Sequence, residues 1–178
     1  MLIIPSLALA AYKPARVLFP QINGLACEKE NICIEDLEDA QKAYNLANDA
    51  ESIVSNVLGD LKFKPKFIFC STQSCFESFG FSKASAINVG KFGTVVSPRG
   101  WTQNIITHEL IHQWQNQQYG IFAVLFGEEW MVEGMAYALS NDPREKLAEP
   151  WQSYRQRFNE WFSTVDKKRL VKKIEDEL

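Results

Sequence analysis

Two histidines, His108 and His112, stand four residues apart, and the chain has no others. Around them Ile106, Leu110, Ile111 and Trp114 recur at the three- and four-residue spacing of a helix with one buried face. The spacing predicts a helix over 101–118, closed at Tyr119-Gly120 by a glycine where helices often end. On that helix both imidazoles lie on one face, one turn apart, so both can reach a single point in space.

The segments before it mix helix and strand signals. Asp36 is placed to cap a helix over 36–58, with Leu37, Ala40, Tyr44, Ala47, Val54 and Leu58 at helical spacing and Gly59 at its end. Phe67-Ile68-Phe69-Cys70 reads as a short buried strand after the break at Pro65. Ser71 is expected to cap a brief helix over 72–79. Ala86–Val89 and Thr94–Ser97 read as strands joined by a turn at Gly90-Lys91-Phe92-Gly93, with Pro98 marking a strand end. Beyond the histidine helix lie an apolar run, Ile121–Phe126, and helices predicted over 128–140, 144–163 and 165–177, broken at Asn141-Asp142-Pro143. The expected fold is α+β: a small mixed sheet, an active-site helix and a helical C-terminal half.

The 178 residues fit one domain, and 46% hydrophobic content supplies a core. A net charge of −3 gives no basic excess of the kind that binds nucleic acid. Lys167-Lys168-Arg169 and Lys172-Lys173 alternate with apolar residues and read as the solvated face of a terminal helix. Residues 1–33 are expected to be a signal- or anchor-like segment and an irregular, cysteine-containing lead-in, with the domain over 34–178. Leu2–Ala11 is apolar and ends in Ala8-Leu9-Ala10, which resembles a signal-peptide core; ten residues do not span a bilayer. Four cysteines form two close pairs, Cys27 with Cys33 and Cys70 with Cys75. Three pairings are open, local pairing is the simplest, and disulfides would suit an exported protein.

The chemistry is carried by His108-Glu109-Leu110-Ile111-His112. Zinc accepts imidazole nitrogens at about 2.0–2.1 Å and prefers four ligands. Glu109, next to the first histidine, is placed to take a proton from an activated water and hand it to a leaving group. The expected third ligand is Glu133, in Glu128-Glu129-Trp130-Met131-Val132-Glu133-Gly134-Met135-Ala136. A turn between the two helices would let it face the histidines. Two histidines and one glutamate leave a fourth position open, as catalytic zinc requires. Glu128 and Glu129 are rivals nearer the helix start. Gly134 is expected to allow close helix approach, and Gln115 and Asn116 to bond within the site or to solvent.

This pattern resembles the gluzincin zinc metallopeptidases, in which the two-histidine motif is joined by a glutamate from a second helix. The resemblance covers about 94–140. It implies a zincin-like fold, a bound Zn2+, the ligands His108, His112 and Glu133, Glu109 as general base, and a peptide or protein substrate. It also implies that Thr94-Val95-Val96-Ser97 is the edge strand that pairs with an extended substrate. The chain departs from the family at Tyr137, where thermolysin-like members carry an acidic residue. It also lacks the Gly-x-Met-Glu-Asn segment of the zinc aminopeptidases, which favours an endopeptidase. Without a further histidine, an oxyanion donor is expected from Tyr137, Tyr154 or Arg155, with Tyr154 preferred. Trp151, Tyr154, Phe158 and Trp161 also form a helical stripe that would pack as core.

Two other readings compete. One is a non-catalytic zincin-like binding or maturation module of the cell envelope; an intact Glu109 speaks against it. N-terminal membrane association is expected on either reading. The other is a deformylase-like hydrolase, which would need a cysteine ligand that this chain does not carry after the motif.

Overall fold

The structure is a computed structural model that describes residues 13–29 and 31–178. The apolar stretch Leu2–Ala11 lies outside the described residues. Five strands form one sheet: β1 (Ala26–Lys29), β2 (Ile32–Ile34), β3 (Phe67–Phe69), β4 (Ala86–Asn88) and β5 (Thr94–Val96). Their order is β1-β2-β3-β5-β4. The central three run parallel, and β1 and β4 close the two edges antiparallel.

Side chains that alternate along a strand point to opposite faces, and here that alternation divides the core in two. Ile32, Ile34, Phe67, Phe69 and Val96 enter one buried cluster; Cys33, Ile68 and Val95 enter the other. The first cluster is covered by helices α2 (Ala40–Leu58), α4 (Gln103–Tyr119), α6 (Glu129–Leu139), α7 (Trp151–Thr164) and α8 (Leu170–Glu177). The second is covered by α1 (Lys13–Leu18), through Val17, and α3 (Gln73–Ser78), through Cys75 and Phe76. One further short helix, α5 (Ile121–Phe126), lies on the surface. The fold is thus mixed α and β, as expected.

Several local expectations change. The lead-in before residue 34 is not irregular: β1 and β2 belong to the sheet, and Cys27 pairs with Cys33 across them. Their short runs, interrupted near Asn31, hide the alternation that marks a strand. Cys70 pairs with Cys75, so the local pairing holds and all four cysteines are bonded. Two disulfides fit an oxidising, extracellular location. No helix among the described residues is long and apolar enough to cross a membrane. Thr72, not Ser71, caps α3, accepting from Cys75 N; the Ser71 hydroxyl donates to Asp39 instead. The stretch 144–150 is not helical, and α7 begins only after Pro150, whose ring and missing N–H would break a helix running through it.

The strand Thr94–Val96 is not an edge. It lies between β3 and β4 with all three residues buried, and the exposed edge on that side is Ala86–Asn88. The hairpin signal in the sequence was symmetrical, and only the parallel pairing of β5 with β3 decides which arm faces out.

Candidate metal centre

The helix carrying the two histidines is fixed to the sheet at its start. Trp101 Nε1 donates to Cys70 O at 2.9 Å, and its ring lies 4.9 Å from that of Phe69. Gln103 Nε2 donates to Leu46 O at 3.2 Å, joining α4 to α2. Near the other end Trp114 is fully buried and donates to Gly59 O at 3.1 Å. A side chain of this size stabilises by about 1.5–3 kcal/mol on burial, so helix rotation that would re-aim the histidines is opposed at both ends.

His108 and His112 turn their Nε2 atoms toward each other, 3.1 Å apart. Glu133, from α6, completes the group: its carboxylate lies 3.7 Å from His108 Nε2 and 3.5 Å from His112 Nε2. These three ligand atoms lie within 4.8 Å of one another and could hold a metal ion. Glu128 and Glu129 do not enter this group; Glu129 accepts a 2.6 Å hydrogen bond from the Tyr154 hydroxyl.

Gln115, one turn along α4, sets the orientation of His112. Its Nε2 donates to Val132 O at 3.0 Å, so its Oε1 is the atom 2.9 Å from His112 Nδ1. An acceptor there holds the Nδ1 proton and leaves the Nε2 lone pair for an ion when the ring is neutral. Because Val132 precedes Glu133, the same amide ties the histidine helix to the glutamate helix. Asn116 bonds within its own helix, to His112 O at 2.8 Å.

Glu109 points to the sheet edge. Its Oε2 accepts from the backbone N–H of Asn88, in β4, at 2.8 Å. Burial raises its pKa, against the opposing pull of His112 and of the Asn88 bond. Burial, reinforced by the charge of His112, lowers His108 to about 3. For His112 burial also disfavours charge, but the hydrogen bond and charge of Glu133, with Glu109, outweigh it and push the ring up to about 9. Burial likewise works against ionised Glu133, yet the two histidines hold it below the ordinary carboxylate range. Without a metal, one proton therefore resides on His112 between the glutamates.

Gly134 lets α7 rather than α4 approach: a Cβ there would lie 2.4 Å from Tyr154 O. The backbone of Tyr154 thus packs on Gly134, the residue after Glu133. Its hydroxyl is held by Glu129, and the residue does not line the cavities that open on His108. Tyr137 does line them, with its ring 4.5 Å from that of His108. Arg144 stands beside it, 5.7 Å over the ring and paired with Asp142. Arg155 is turned away, donating to Arg144 O and Glu145 O. Asn88, Asp142, Arg144 and the cleft-lining Trp151 come from segments remote in sequence and had no local signal. The deformylase-like alternative loses its sulfur ligand, since no cysteine is free. No family model, no curated protein and no solved structure matches the chain.

Proposed function

We propose that this protein is a zinc-dependent peptidase of gluzincin type on a zincin-like scaffold. The reading rests on the convergence of two imidazole nitrogens and one carboxylate at a cleft, with the half-buried Glu109 beside them. Ligands about 2.0–2.1 Å from a tetrahedral zinc stand about 3.3 Å from one another. The separations of 3.1, 3.5 and 3.7 Å bracket that value. Two imidazoles favour zinc over harder ions. A zinc ion held by His108, His112 and Glu133 would supply Lewis acidity, polarising a peptide carbonyl and acidifying water.

The protein's own residues supply the rest. Glu109 takes a proton from the attacking water and delivers it to the departing amine nitrogen. Its bond to Asn88 N aligns the carboxylate with the open edge β4, along which an extended peptide can lie. Tyr137, packed on His108 in the cleft, replaces Tyr154 as the preferred donor to the tetrahedral oxyanion. The lack of an aminopeptidase anchor segment favours an endopeptidase.

The test is hydrolysis of a broad peptide library by the zinc-loaded protein. Cleavage should stop with a chelator and fall at least about a hundredfold in Glu109→Gln, which should keep its metal. A smaller loss, of about tenfold or more, is expected for Tyr137→Phe, and little change for Tyr154→Phe. A metal-loaded protein that cleaves nothing, or an undiminished Glu109→Gln variant, refutes the peptidase assignment.

A further inference from the structure

Helix α5, Ile121-Phe122-Ala123-Val124-Leu125-Phe126, is apolar all round, yet none of its residues is buried. Phe122 is 73% exposed, Leu125 68% and Phe126 78%, and the two phenyl rings stack parallel, 6.4 Å apart, at the surface. A helix apolar on every face belongs in a core or in lipid. Beside it Phe63, 70% exposed, is pinned to the last turn of α4 by Gln117, which accepts from Phe63 N and donates to Phe63 O. A second aromatic knob therefore stands at the same end of the molecule.

Basic groups gather at Phe63 and at the Gly90 turn, while Glu175 acts on Tyr119 just before α5 and the chain end at Leu178 abuts Gly127 just after it. Lys62 and Lys64 flank Phe63 and are exposed; the Lys62 ammonium lies 3.3 Å from Gln118 O, just before α5 begins. Lys91, also exposed, sits in the turn whose Gly90 abuts Ile121. Asp60 is the one acid in the stretch 60–66, and Glu128 and Glu129 follow beyond Gly127, with Glu129 lining the cleft. Lysine is depleted from the apolar centres of protein interfaces. Bulky apolar side chains inserted among lysines are instead the arrangement that suits the headgroup region of an anionic bilayer, where lysine stems lie along the apolar layer and ammoniums meet phosphates.

We propose that this end of the molecule docks on an anionic lipid surface, with Phe122, Leu125, Phe126 and Phe63 inserted and Lys62, Lys64 and Lys91 on the headgroups. Ile121, Val124 and Leu125 also form a wall of the cleft at His112. Docking therefore brings the cleft mouth to the lipid, and, on the peptidase reading, selects substrates whose scissile segment lies close to a membrane.

The experiment is sedimentation of the full chain with vesicles of phosphatidylcholine alone or mixed with phosphatidylglycerol, at low and high salt. Zinc content is measured on the same samples, so that loss of the metal site is seen separately. Binding to the anionic vesicles is expected, weakened by salt. The pair Phe122→Ser/Phe126→Ser should weaken it at least about tenfold. Lys62→Gln, Lys64→Gln and Lys91→Gln should each weaken it by about fivefold with unchanged thermal unfolding. Equal binding to neutral vesicles, or binding untouched by both sets of variants, overturns the proposal. So does a dimer in solution that ignores vesicles and is dissociated by Phe122→Ser/Phe126→Ser, because the patch then serves a second copy of the chain.

Discussion

Gln115 holds His112 through a 2.9 Å contact between its Oε1 and the imidazole Nδ1, while its amide nitrogen is spent on Val132 O, next to Glu133. One buried side chain thereby couples two members of the candidate metal group on different helices. Loss of such an outer partner typically costs 10–100-fold in metal affinity. Gln115→Leu is expected to weaken zinc binding by about that factor, measured by competition with a chromophoric chelator. Gln115→Glu keeps the acceptor and should hold affinity closer to that of the unmodified chain. Equal affinity in all three proteins would remove Gln115 from the site.

Protons should leave when metal enters. In the metal-free protein His112 titrates at about 9, so it carries a proton at neutral pH, whereas His108, at about 3, does not. A ligating imidazole must give up its Nε2 proton. Zinc binding at pH 7 is therefore expected to release about one proton, and affinity to rise about tenfold per pH unit from pH 7 toward 9, then level off. Calorimetry in buffers of different ionisation enthalpy reads this directly. A binding heat independent of buffer would contradict it.

Close helix packing supports the position of Glu133. A Cβ at Gly134 would collide with the Tyr154 carbonyl at 2.4 Å, and that neighbour is backbone. Gly134→Ala is expected to destabilise the fold by about 1–3 kcal/mol in urea unfolding, and to weaken metal binding because Glu133 precedes it on α6. Stability within a few tenths of a kcal/mol of the unmodified chain would show that α6 and α7 separate at little cost.

How much of this could be read in advance follows the range of the interactions. The histidine helix, α2 and strands β3, β4 and β5 carry their signals locally, and the two histidines with Glu109 suggest a metal site by spacing alone. Glu133 needed only the assumption that a second helix folds back. Other features are set by long-range pairing that leaves no local trace. Asn88 reaches Glu109 because β4 lies at the edge, and β4 lies there because β5 pairs parallel with β3. The ordering of Tyr154 and Tyr137 likewise depends on long-range packing. Only the packing of α7 on Gly134 sets the Tyr154 hydroxyl on Glu129, while the Tyr137 ring lies against His108.

Both disulfides close short loops, with sequence separations of 6 and 5. Loop-closure entropy for such lengths is worth about 2 kcal/mol each. The Cys70–Cys75 bridge also borders the carbonyl that anchors Trp101 at the start of the histidine helix. Cys70→Ser/Cys75→Ser is therefore expected to lose about 2 kcal/mol and to weaken metal binding. Cys27→Ser/Cys33→Ser, on the far edge of the sheet, should lose stability while leaving metal affinity unchanged. The same metal affinity in both double variants would break the link from the bridge to the site.

The most direct measurement is zinc-edge X-ray absorption on the zinc-loaded protein, with metal content per chain. One zinc is expected, bound by two imidazole nitrogens and oxygen, with no sulfur and with loss of the metal in His112→Ala. A chain that retains no zinc at neutral pH, or a zinc held with sulfur or without the two imidazoles, would contradict the assignment of His108, His112 and Glu133.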